Sequence, residues 1–102
     1  MGFEVEHPEL AARAREVRAA QERHEQEQAR RAALVRERCE ALHIPADTVV
    51  CVLWCRLCDP ELMQPLLFGT AEHRGRWAGQ HTRQTGHDSW HSPDLRADGT
   101  YV

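Results

Sequence analysis

The chain has 102 residues, a formal net charge of -3, 41% hydrophobic residues and 28% charged residues. That length allows one small domain plus an appendage. Charge is nearly balanced in both halves, with ten acids against eight arginines over residues 1–47 and six against five over 48–102. Neither half has the basic excess of a protein that neutralises many phosphates. No run approaches the ~20 apolar residues of a membrane span, and the acidic residues 1–7 lack a secretory pattern. A soluble, cytoplasmic protein is expected, in which the four cysteines are thiolate ligands or buried thiols instead of disulfides.

Residues 1–8 read as a flexible N-terminus, with Pro8 suited to a first helical position, where its missing N–H costs nothing. Residues 9–43 read as a long charged helix. From Glu9 to Leu42 there is no Gly or Pro, and Ala, Arg, Glu and Gln dominate. Glu9 with Arg13, and Glu27 with Arg31, add i,i+4 support. The apolar stripe is split. Leu10, Ala14 and Val17 form a patch near the start, Leu34, Val35, Cys39 and Leu42 form another near the end, and residues 21–28 between them are wholly polar. His24, Gln28 and Arg31 interrupt the a and d series of a continuous coiled coil. Three arrangements stay open: a coiled coil, a solvated helix docked by its C-terminal turns, and a helix whose polar centre a partner covers.

Pro45 ends the helix and biases Ile44 towards extended geometry. The run TVVCVLW at 48–54 is β-branched and apolar on both faces, the pattern of a strand buried on both sides. One face is expected to meet Leu34, Val35 and Leu42, and the other a later helix. Residues 65–69 supply a second short strand closed by Gly69. Thr70 is a good N-cap for a helix over 71–84 that brings Trp77, Ala78 and His81 to adjoining positions. The fold class is α+β, a long N-terminal helix followed by a small metal-stapled ββα unit over 48–91, with 92–102 read as a flexible tail.

Cys55-x-x-Cys58 is the strongest local signal. Two thiols three residues apart converge as a tight knuckle, and His81 and His87 complete a four-ligand zinc set. A redox Cys-x-x-Cys would open a helix, which Pro60 opposes. On an unbroken helix His81 and His87 would point about 240° apart. Gly86, in left-handed geometry, ends the helix and swings His87 back. His73 lies about 12 Å from His81 along the helix axis and cannot share the ion. His91 is the substitute for His87. Cys51, about 13 Å from Cys55 along an extended strand, is better read as a buried thiol, as is Cys39. His7, His24 and His43 read as surface residues.

The set Cys55, Cys58, His81 and His87 resembles that of two-cysteine two-histidine (C2H2) zinc fingers. The segment around Ala78, His81, Thr85, Gly86 and His87 is similar to the end of ubiquitin-protease-type fingers. The resemblance covers about a third of the chain and implies structural zinc and a ββα-like unit. It departs from DNA-reading fingers in the twenty-two residues between Cys58 and His81 and in having no tandem repeat.

A zinc with four protein ligands has no open position for substrate. Asp88, Asp94 and Asp98 with His87 and His91 are the one alternative catalytic cluster, and no phosphate loop, nucleophile elbow or HExxH motif accompanies them. The expected function is therefore non-enzymatic, with no small-molecule substrate: a zinc finger anchoring helix 9–43 for protein–protein interaction or homodimerisation. The competing function is nucleic-acid binding through Arg76 and Arg83, which lie seven apart on one face of the second helix.

Overall fold

The computed structural model describes residues 8–102. The expected flexible segment at 1–8 lies outside them except for Pro8, the first residue of helix α1, Pro8–Ala41. Strand β1 (Val49–Cys55), strand β2 (Leu66–Phe68), helix α2 (Ala71–Thr85), strand β3 (Trp90–His91) and strand β4 (Asp94–Arg96) follow. The architecture is α+β, as the sequence pattern predicts. The chain forms two compact units, divided inside α1: Met1–Arg30 and Arg31–Val102. The second unit therefore extends beyond the 48–91 span at both ends, taking in the last turns of α1 and the C-terminal residues.

In the first unit Ala11 is buried, whereas the larger apolar residues of α1 are exposed, Leu10 at 42% and Val17 at 56%. In the second unit α1 ends in a Schellman motif. His43 adopts left-handed φ of 58°, its N–H donates to the Glu40 carbonyl, and the Ile44 N–H donates to the Cys39 carbonyl. Ile44 then packs against the core that contains Cys39. Pro45 thus follows a helix stop already made by backbone hydrogen bonds.

β1 is the central strand. On one side it pairs antiparallel with β2, Val52 facing Leu67. On the other it pairs with β3 and β4, Trp54 facing His91 and Val50 facing Leu95. Six of its seven residues are buried, because both faces are covered. Val50, Val52 and Trp54 join Val35, Cys39, Leu62, Leu95 and Ala97 in the main core. The alternate residues Cys51, Leu53 and Cys55 point to the opposite face. Of the α1 residues expected over β1, Val35 is fully buried, whereas Leu42 is 51% exposed.

Residues 92–102, read from sequence as a tail, carry β4. Its single apolar residue, Leu95, is fully buried and is followed by buried Ala97. A three-residue strand of Asp, Leu and Arg carries too little apolar pattern to be read as a strand. The turn after it depends on Gly99, whose φ is 90° and whose missing Cβ would stand 2.9 Å from the Ala32 carbonyl oxygen.

β3 and β4 keep one register along β1 and are interrupted at Ser92 and Pro93. The Val52 N–H donates to the Pro93 carbonyl, but Pro93 has no N–H to return to the Val52 carbonyl. Arg74 of α2 takes its place. Its Nη1 donates to the carbonyls of Val52, Ser92 and Pro93, each at 3.3 Å, and to Asp94 Oδ1 at 2.8 Å. Replacing Arg74 with Met would leave the Val52 carbonyl of a buried strand unsatisfied. The expected loss is about 1–3 kcal/mol, measured by denaturant unfolding of the full-length protein.

Candidate metal centre

The four donors come from two places in the fold. β1 delivers Cys55 at its last residue, and the chain turns at once, so that the Cys58 N–H points to Cys55 Sγ at 3.5 Å. The turn is fixed by Asp59. Its N–H donates to the Cys55 carbonyl, and its carboxylate accepts from the N–H groups of Met63 and Gln64 at 2.8–3.1 Å. From sequence Asp59 reads only as part of a turn with Pro60. Its hydrogen-bonding to the amides four and five residues on could have been suspected from the known habit of Asp in turns.

α2 delivers the imidazoles. Thr70 caps it, Oγ1 accepting from the His73 N–H. At the other end Gly86 takes φ of 78° and its N–H donates to the Thr82 carbonyl, so the helix stops one residue before His87. Two hydroxyls hold the stop. Thr82 Oγ1 donates to the His87 carbonyl at 2.6 Å, and Thr85 Oγ1 donates to the His81 carbonyl at 2.7 Å while accepting from the His87 N–H at 3.1 Å. Gly86 was legible in the sequence for this role, and the two threonines were not.

One donor atom from each of Cys55, Cys58, His81 and His87 lies within 4.8 Å of the other three. Cys58 Sγ stands 3.4 Å from His81 Nε2 and 3.3 Å from His87 Nδ1, and Cys55 Sγ stands 3.6 Å from His87 Nδ1. A tetrahedron drawn with zinc-type bond lengths has sulfur–nitrogen edges of roughly 3.5 Å, so these residues fit a four-coordinate divalent ion. All four cysteines are free thiols. Trp77 stacks on the His81 ring with centroids 4.7 Å apart, and Trp90 approaches the same ring at 5.5 Å. These indoles hold the imidazole plane and cover one side of the cluster.

His91, the expected substitute for His87, is not at the centre. It faces Trp54 across the strand pair, with ring centroids 5.4 Å apart, and so lies on the opposite face of the sheet from Trp90, which faces Cys55. One step along a strand reverses the side chain. Burial, with Arg31 and Arg56 adding to it, pushes the His91 imidazole below its usual range. Cys51 and Cys39 are buried thiols, and burial pushes both above the usual range. His24 and His43 are exposed, while His7 lies outside the described residues. Asp94 is engaged by Arg74 and Asp98 by Thr100.

The arginines of the competing function differ in their surroundings. Arg76 is ion-paired with Glu72 one turn earlier on α2. Arg83 extends back along the helix, its Nη1 lying 3.6 Å from where a Gly79 Cβ would be.

Comparison with protein-family models, with curated proteins and with solved structures returns no match.

Metal binding here must displace protons from the thiols. Partial desolvation, then the neighbouring Cys55 and Asp59, hold the Cys58 thiol above its ordinary value, so protons compete with the ion up to a higher pH than at a free cysteine. Metal affinity should fall on acidification as protons return to Cys58. Titration with a chromophoric chelator at several pH values checks this.

Proposed function

We propose that Cys55, Cys58, His81 and His87 hold one structural zinc ion, and that the chain is a non-enzymatic C2H2-like zinc-binding protein whose long helix makes protein–protein contacts. The observation that carries this reading is the convergence of two sulfur and two nitrogen donors at the junction of β1 and α2. Mixed thiolate and imidazole ligation in tetrahedral array suits zinc. A centre with four protein ligands leaves no position for water or substrate, which supports folding over catalysis.

The size of the folded unit supports the same conclusion. The main core of the second unit is a handful of residues, among them Val35, Val52, Trp54 and Leu95, and domains of this size usually need a staple. Structural zinc contributes roughly 10–16 kcal/mol in finger peptides at neutral pH, which matches or exceeds the whole stability of a small domain. The interaction role is supported by Leu10 and Val17, exposed apolar residues one heptad apart on α1. The nucleic-acid alternative is weakened by the Arg76–Glu72 pair, which already offsets one of its two cations.

Elemental analysis combined with native mass tests the metal and the assembly together. One zinc per chain is expected, and Cys58→Ala or His81→Ala should lose the metal and unfold residues 31–102. A folded, metal-free wild type would overturn the zinc reading. The helix is expected to give a dimer, or a complex with a partner protein, that Leu10→Glu with Val17→Glu dissociates. Salt-dependent binding to DNA or RNA, lost in the Arg76→Ala/Arg83→Ala double variant, would favour the alternative.

A further inference from the structure

A cleft of about 620 Å³ runs from Cys55 and Cys58 of the metal centre along Leu34 and Ala41 of α1, Met63, Pro65 and Leu66, and Trp77 of α2. Its volume falls in the range of ligand-binding pockets, roughly 300–1,000 Å³. One wall is the start of β2, which is the outer strand on its side of the sheet.

The outer edge of β2 is set by the pairing. The Val52 N–H donates to Pro93 on the opposite side of β1, so the facing pair Val52 and Leu67 is the kind that exchanges no hydrogen bonds, and the N–H and C=O of Leu67 point outwards. Pro65 and Gly69 flank β2, and apart from its chain neighbours nothing stands within 4 Å of where a Gly69 Cβ would be. Among the described residues no strand pairs with this edge. An outward donor and acceptor at Leu67 therefore border an apolar cleft.

We propose that this edge and cleft bind an extended peptide segment of a partner protein. The segment adds as a strand to β2 and places an alternate apolar side chain between Met63, Leu66 and Trp77. The backbone groups of the edge match a peptide backbone, and the cleft takes one side chain of every two. Glu37 and Arg38, side by side at the rim, suit a peptide better than a ligand of single charge sign. A second copy of this chain is a poor occupant, because three residues of edge give only ~10 Å of ladder, short of a stable interface of at least ~1,200 Å². This surface is separate from the apolar patch of α1 at Leu10 and Val17 and requires only a folded second unit.

The test uses full-length protein with its metal content verified, panned against a displayed library of random linear heptapeptides. Enriched clones should share apolar residues at alternate positions. A synthetic peptide of the enriched sequence should slow amide exchange at Leu67 at least tenfold. It should also bind at least tenfold more weakly when N-methylated at the amides facing β2, and when Met63, 42% exposed, is replaced in Met63→Arg. Should that variant lose metal or fold, the N-methylated peptide decides alone. Three results would overturn the proposal: no enrichment, binding without protection of Leu67, or a dimer in native mass whose contacts protect Leu67 without peptide.

Discussion

Burial of β1 on both faces is the constraint on which the rest of the second unit depends. A strand with six of seven residues out of water needs two covering layers, and the described residues form only two helices. The last turns of α1 supply one, through Val35 and Cys39. α2 supplies the other, yet none of its residues is buried. A helix that contributes so little core cannot be held by apolar area alone. It is fastened at one end by the Arg74 hydrogen bonds to the sheet and at the other by the imidazoles beside Cys55 and Cys58. The candidate metal centre thus sits where the hydrophobic contribution is thinnest.

Much of this was legible in the sequence because it rests on local rules. The both-faces-apolar run at β1, the Thr70 cap, the Pro45 boundary and the left-handed Gly86 follow from residue chemistry at fixed spacing, and the four donors follow from them. The missing parts depend on partners distant in sequence. β4 has one apolar residue and exists because Val50 lies opposite it. The face of His91 depends on strand register, which no short window of sequence determines. Nothing near Arg74 in sequence marks it as the partner of a carbonyl left open by Pro93.

The helix α1 belongs to two units, and the same element has two characters. Before Arg31 its larger apolar residues, Leu10 and Val17, are exposed, and after it Val35 and Cys39 are fully buried. The close approach of Gly99 to Ala32 shows how tightly the last turns are used, since even a methyl group there would meet backbone. Composition does not distinguish the two parts, for both are rich in Ala, Arg and Glu. What sets the second part apart is the core of β1, β4 and Leu62 that packs on Val35 and Cys39.

Pro93 carries a consequence beyond its missing donor. In most sheets the backbone ladder closes by itself, and a helix laid across it can loosen while the strands remain intact. Here one rung is closed by a guanidinium from the helix, so a sheet without its helix would hold an open carbonyl in its central strand. Strand pairing and helix docking are thereby joined into one cooperative unit, and the two are expected to form and melt together.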